Sequence, residues 1–403
     1  MANWNVRIKD AGTEIAQTLT SQSSGESSPP AAKRRGQHHP VKTSLDEAAQ
    51  LIDDNRLDDA LAAYEAILEK HPDIAMAYVG IGNIHAKRGQ DDEALEYYEG
   101  ALHLRQDFIP ALLQSGYAHA RQGADEKALS KFKDVLNFNP SVIMAWLSIA
   151  RIHAKQGEFQ QAIDHLQQAL SFNPQFEAAR LALAGIYQKQ GDAQAALTEI
   201  EKVERAKPES FQSLLRLAAL LFELKHYQRA INACNQAITL APERADAHQL
   251  LGRCHLALGE HDSALAAFLT SERLDPERVA ASFGIVEVNI ATRDFEEARR
   301  RLITLTKGVK KLGMAHRMLG ELLMREESWA DAVAEFRAAV LHSTWLVEKQ
   351  PELGQIPPDP TNPRTEAECY ADLFSKFSPF RDFSPETIND DSADSPPNMI
   401  GGR

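Results

Sequence analysis

Small and bulky apolar side chains recur along this chain at a fixed step. Alanine stands at Ala60, Ala94, Ala128, Ala162, Ala196, Ala230, Ala264, Ala298 and Ala332, nine positions with one constant interval between neighbours. Four residues beyond each comes a larger, mostly apolar side chain: Tyr64, Tyr98, Phe132, Leu166, Ile200, Cys234, Phe268, Leu302 and Phe336. A spacing of four places both on one face of a helix. Twelve residues before the alanine a small residue recurs as Ala48, Gly82, Gly116, Ala150, Ala184, Ala218, Gly252 and Gly320, with Val286 as the misfit. Small side chains at such a column let two helices approach closely. Twelve residues after the alanine, Pro72, Pro140, Pro174, Pro208, Pro242 and Pro276 end the second helix, while Gln106, Lys310 and Thr344 stand there in the other units.

Between the two helices lies Gly89, Gly123, Gly157, Gly191 or Gly259, with Asn55 in the first unit, where a left-handed C-cap is required. Each unit therefore reads as helix, tight turn, helix, proline. The run Ser44-Leu45-Asp46-Glu47 has the form of a capping box and is expected to open the first helix. The eighth unit is degraded: Val286 replaces a small residue, Asn289 an aromatic or histidine, and Lys310 the proline. A looser interface or a bend is expected over 279–312, with faster amide exchange than over 143–176.

These columns resemble those of the tetratricopeptide repeat family over about nine units. The resemblance implies an all-α fold, a right-handed superhelical solenoid of helix-turn-helix repeats. Such units cannot bury their apolar faces alone and must stack. The boundaries expected are an N-terminal disordered tail 1–43, the solenoid 44–346, a Pro-rich linker 347–364, an amphipathic helix 365–377 and an acidic disordered tail 378–403. The family fold serves many unrelated partners, so it implies binding of protein or peptide without naming which.

The same resemblance implies that ligands sit on the inner face of each unit's first helix. There one column runs Met76, Pro110, Met144 and Ala178, and another Val79, Leu113, Leu147, Leu181 and Leu215, an apolar floor. Lys87, Arg121, Lys155 and Lys189 form a basic stripe further along the same helices, and Asn83, Tyr117 and Arg151 lie between. Floor and stripe together suit a polypeptide mixing apolar anchors with acidic residues. The alternative for the stripe is that each cation merely solvates the negative end of its helix. The Lys, Asn and Arg set with which some family members hold a chaperone's C-terminal carboxylate is not matched, since Val79 precedes Asn83 and Gln114, Met144 and Ser148 occupy the later positions.

His85, His119, His153 and His255 share a column, separated by multiples of the repeat step. Successive hairpins separate such side chains by about 8–10 Å, too far for two ligands of one zinc at about 2 Å each. No metal or cofactor is expected, and the histidines are read as packing residues with one nitrogen hydrogen-bonded. No nucleophile with a base, phosphate loop or HExxH motif is visible, so an enzyme is not expected.

Composition narrows the partners. A formal charge of −13 repels phosphate backbones and anionic lipid, which argues against nucleic acid and membrane. Cys234, Cys254 and Cys369 form no CxxC pair and read as buried small side chains in a reducing compartment. With no secretory signal pattern and no long apolar run, a cytoplasmic location is expected.

The ends carry the remaining candidates. The N-terminal tail holds the basic run Lys33-Arg34-Arg35 and an apolar minority around Trp4. In the C-terminal segment Ala367, Tyr370, Ala371, Leu373, Phe374 and Phe377 give an amphipathic helix. It could cap the last repeat, occupy the chain's own groove, or engage another protein, including a second copy. The functional expectation is a non-enzymatic scaffold or adaptor used in complex assembly. Alternatives are a ligand-responsive regulatory sensor or the substrate-recognition subunit of an enzyme complex.

Overall fold

The computed structural model describes residues 38–307, 313–342, 351–358 and 361–375. All regular structure among them is helical. Nine hairpins follow in order: α1 (His38–Asp53) with α2 (Leu57–Lys70), α3 (Ala75–Lys87) with α4 (Asp91–Leu104), and α5 (Ile109–Arg121) with α6 (Asp125–Phe138). The middle three are α7 (Ile143–Lys155) with α8 (Phe159–Phe172), α9 (Glu177–Lys189) with α10 (Ala193–Ala206), and α11 (Phe211–Glu223) with α12 (Tyr227–Leu240). The last three are α13 (Ala245–Ala257) with α14 (His261–Leu274), α15 (Val279–Ala291) with α16 (Phe295–Lys307), and α17 (Gly313–Arg325) with α18 (Trp329–Leu341). A short 3-10 turn (Pro351–Gln355) and α19 (Pro363–Ser375) come after them. The chain divides into two compact units between Ile186 and Tyr187, inside α9. Within each unit a hairpin packs on its neighbour, as in a tetratricopeptide solenoid.

The repeat columns become the core. All nine alanines of the series are fully buried, and the bulky residue four positions on is buried in every hairpin. The small column explains itself geometrically: a Cβ built on Gly116 would lie 2.5 Å from Cε1 of Phe132, and one on Gly320 2.6 Å from Cε1 of Phe336. Glycine there lets the first helix ride on the aromatic ring of the second. Gly116→Val is expected to destabilise the third hairpin by about 3 kcal/mol through overpacking. Amide exchange over 109–138 reads this, and protection equal to wild type would refute it.

The second helices of six hairpins stop two residues before a proline, for example α6 at Phe138 ahead of Pro140. The turn inside each hairpin is left-handed in all nine. Asn55 and the five glycines take φ of +59° to +80°, and so do Lys225 (61°), Arg293 (64°) and Glu327 (61°). Backbone bonds close each turn, as from the N–H of Ser328 to the carbonyl of Leu323. At Lys225, Arg293 and Glu327 the hairpin geometry overrides the steric preference of a side-chain-bearing residue.

Three boundaries differ from the sequence reading. The first helix begins at His38, so Ser44 lies within α1 and does not cap it. The segment after the repeats is not merely an extended linker: its 3-10 turn buries Leu353 against Ala332, Val333, Phe336 and Ala339 of α18. α19 begins at Pro363, a residue suited to the first turn of a helix. In the eighth hairpin Val286 is fully buried with Phe283, Leu302 and Leu319. Lys310, Lys33-Arg34-Arg35, Trp4, the N-terminal tail through residue 37, and the C-terminal tail from residue 376, Phe377 included, lie outside the described residues.

Candidate functional site

First helices touch first helices along each unit: α1 meets α3 and α3 meets α5 in the first, α11 meets α13 and α13 meets α15 in the second. This makes a wall of first helices on each unit, whose side chains decide what can bind.

On the first unit's wall the expected site residues part into three groups. Val79, Tyr117, Leu147 and Leu181 are buried, with Val79 packed among Ala94, Tyr98 and Phe108 and Tyr117 edge-on to Phe132. They belong to the packing between hairpins and offer no open floor, a correction to the sequence reading. A residue that points toward the next hairpin is apolar for the same reason as one that faces a ligand, so the column pattern did not separate them. Met76, Leu113 and Met144 remain half-buried, as does Pro110. These four form the accessible apolar stripe. Asn83 accepts a hydrogen bond from the Tyr98 hydroxyl at 2.9 Å, and Arg151 is exposed.

The basic stripe is engaged within the protein. Lys87 donates to the backbone carbonyl of Ile52 at 3.0 Å, at the end of α1. Arg121 lies across the Asp91 carboxylate with its closest N–O distance at 2.5 Å, and Lys155 reaches Asp125 at 3.3 Å. Asp91 and Asp125 open α4 and α6, where the positive end of the helix dipole favours a carboxylate. Arg121 and Lys155 thus each tie the end of one first helix to the start of the preceding second helix, at equivalent places in successive hairpins. Lys189 is exposed at the end of α9.

The wall of the second unit is charged, which the sequence reading missed by stopping its columns at the sixth repeat. Continued by the repeat step, the column of Arg151 arrives at Arg253, Glu287 and Glu321, and the column of Leu215 at Gln249, Phe283 and Arg317. Arg253 and Arg317 are only 7% and 3% exposed. Burial pushes the Glu287 carboxyl up to about 8, although Arg253 and Arg317 beside it pull the other way; Glu321 adds to the rise. Arg317 donates to Glu321 at 2.8 Å, and its guanidinium lies 5.6 Å from the centre of the Phe374 ring. Arg253 lies over Phe222 at 4.4 Å.

α19 settles on the last hairpin. Ala367, Tyr370 and Phe374 are buried with Phe336 of α18, whose ring lies 5.8 Å from Tyr370 and 5.5 Å from Phe374. Arg337 of α18 pairs with the buried Glu366 at 2.7 Å. Of the roles considered for this helix, the structure shows the cap. Tyr370 and Phe374 are therefore interior residues and not a presented motif, and Leu373 is half-buried in the same cluster. Cys369 lies on the opposite face and is exposed, contrary to expectation, whereas Cys234 and Cys254 are buried.

Three of the four histidines of the column pack as side-chain pairs. His85 meets Gln90 at 3.1 Å and stacks on Tyr97, His153 meets Glu158 at 2.5 Å and stacks on His165, and His255 meets Glu260 at 2.6 Å. Among the described residues no group of three or more His, Cys, Asp or Glu side chains could hold a metal ion. No helix among them is long and apolar enough to cross a membrane.

Two tetratricopeptide repeat models match this sequence, one over residues 153–221 and 221–272 and the other over 45–107 and 286–345. The chain belongs to the tetratricopeptide repeat family. No curated protein has a matching sequence. Among solved structures this tetratricopeptide repeat protein is similar to the human IFIT1 dimer with PPP-AAAA, at 14% identity and a TM-score of 0.51, covering 82% of this chain and 88% of that one. A monomeric IFIT1 mutant with Gppp-AAAA gives 14% and 0.51 over 84% and 90% of the two chains. A tetratricopeptide repeat protein from Parabacteroides merdae ATCC 43184 gives 20% and 0.48 over 62% and 98%. At these identities the likeness to the solved structures is one of fold.

Proposed function

We propose that this tetratricopeptide repeat protein is a non-catalytic scaffold that holds a segment of a partner polypeptide against the first-helix wall of its first unit, in the assembly of a larger complex. The observation that carries the reading is the stripe of Met76, Pro110, Leu113 and Met144, apolar side chains left half-exposed on successive first helices of a folded array. Water-exposed apolar area at the repeat period gives a partner's anchors regularly spaced places to bury, and methionine adapts its shape to varied partners. The basic stripe supports the reading less than its sequence position implied, because Lys87, Arg121 and Lys155 each have partners within the chain. Apolar anchors therefore dominate recognition, and acidic residues on the partner are secondary.

Met76→Glu combined with Met144→Glu places two charges on the stripe without altering the buried columns. In affinity capture from native cells with quantitative mass spectrometry, a polypeptide held stoichiometrically by wild type is expected to fall at least about tenfold with the double variant, which corresponds to about 1.4 kcal/mol. Equal thermal unfolding of the two proteins checks that the fold is intact. Undiminished capture, or a small molecule as the sole stoichiometric companion, overturns the proposal.

A further inference from the structure

One pair of side chains stands out from the repeat chemistry. Position 234 belongs to the bulky column, and position 254 lies on the first helix of the next hairpin. In five other hairpins the equivalent two positions share one core cluster: Tyr64 with Ile84, Tyr98 with Ala118, Phe132 with Ile152, Phe268 with Val288, and Leu302 with Leu322. Here both are cysteine. Cys234 on α12 and Cys254 on α13 are fully buried, on two helices packed against each other, and the Cys254 thiol is the neighbour that acts most strongly on Cys234. The repeat geometry thus brings two thiols together across neighbouring helices at a place where the other hairpins bury hydrocarbon.

We propose that Cys234 and Cys254 form a closed dithiol site that hydrogen peroxide converts to a disulfide joining α12 to α13. The step balances: one thiolate attacks a peroxide oxygen, giving a sulfenic acid and releasing hydroxide that is protonated to water. The second thiol then displaces the sulfenic oxygen as a second water while the sulfur–sulfur bond forms. Two thiols and one peroxide give one disulfide and two waters. The partner thiol, and after it burial, raises the Cys234 pKa well above its ordinary value, so in the closed fold the Cys234 sulfur is protonated and poorly nucleophilic. Reaction therefore requires local opening of α12 from α13. Once a first sulfur is oxidised, the neighbouring thiol captures it before a further oxygen is added. Cys369, alone on the exposed face of α19, has no such neighbour among the described residues.

The test uses the full chain carrying Cys369→Ser, so that two thiols remain of the three. The protein is treated with hydrogen peroxide, unfolded, alkylated with iodoacetamide, and analysed by intact mass and non-reducing peptide mapping. The expected result is a monomer lighter by two hydrogens, alkylated at neither cysteine, with a reductant-reversible link between the peptides of Cys234 and Cys254. Added oxygen on either sulfur, links between molecules, or full alkylation of both sulfurs after peroxide overturns the proposal. With Cys254→Ala in the same background, Cys234 is expected to gain oxygen instead of losing hydrogen. Circular dichroism before and after treatment confirms that the helices persist in each sample.

Discussion

Phe336→Ala is expected to destabilise the C-terminal end of the array by about 3–5 kcal/mol, the range for emptying a buried aromatic site. Phe336 is fully buried, fills the space that Gly320 leaves on α17, and lies against Tyr370 and Phe374 of α19. Its removal withdraws support from two interfaces together. The cavity cannot close by collapse, because the Gly320 backbone offers no side chain to move into it. Stability in repeat arrays is a sum of neighbouring terms, so the effect should stay local. Amide exchange is the suitable measurement: protection should drop over α17, α18 and α19 and remain unchanged over α3 to α6. A loss below about 1 kcal/mol, or one spread evenly along the chain, would contradict the capping role assigned to α19.

The second large effect is a dependence of stability on pH in the second unit, centred on Glu287. Its carboxyl is raised from 4.5 to about 8, first by burial on α15, with Glu321 adding to the rise and Arg253 and Arg317 opposing it. A raised folded-state value means that the folded protein holds a proton the unfolded chain has already released. The associated stability is complete below 4.5, declines as pH rises, and is gone above about 8. One proton gives a slope of about 1.4 kcal/mol per pH unit, and the whole contribution is at most about 5 kcal/mol. Glu287→Gln removes the titration while keeping size and polarity. The opening free energy of 279–291, from amide exchange, should slope downward across this window in wild type and lie nearly flat in the variant. Parallel profiles would place the proton elsewhere.

The two predictions concern residues that the sequence revealed to different degrees. Phe336 was visible in advance, because the bulky column and the small column around Gly320 share the period of the array, and a ring opposite a glycine has only one sensible packing. Glu287 lies on the continuation of the Arg151 column, beyond the units from which the inner face was read, and nothing in that column announced how far its carboxyl is withdrawn from water. Exposure depends on how far the next first helix leans over it, and no pattern within one helix carries that distance. The same limit misplaced Val79, Tyr117, Leu147 and Leu181. They repeat as faithfully as Met76 and Met144, yet the neighbouring hairpins cover them.

The basic stripe shows another side of this. Lys87, Arg121 and Lys155 were legible as a row of charge, and the internal alternative, a cation at the negative end of its helix, was foreseeable. Their partners were hidden in a different register: Asp91 and Asp125 stand in the hairpins before those of Arg121 and Lys155, a separation with meaning only once the hairpins stack. Likewise the left-handed turns at Lys225, Arg293 and Glu327 carry no glycine to announce them. Their neighbours' closing bonds and the packing of both helices impose the turn.

By itself the sequence determined the helical hairpins, their number and their buried faces, because a strict long period of small and bulky residues admits no other economical burial. It determined too that the segment around Tyr370 and Phe374 is an amphipathic helix. Tertiary structure alone decided where that helix docks, which members of two equally regular apolar columns stay open to solvent, and which carboxylate answers each cation. Those outcomes depend on the distances between hairpins, which arise from the stacking of whole side chains and are not written in the spacing along any one helix.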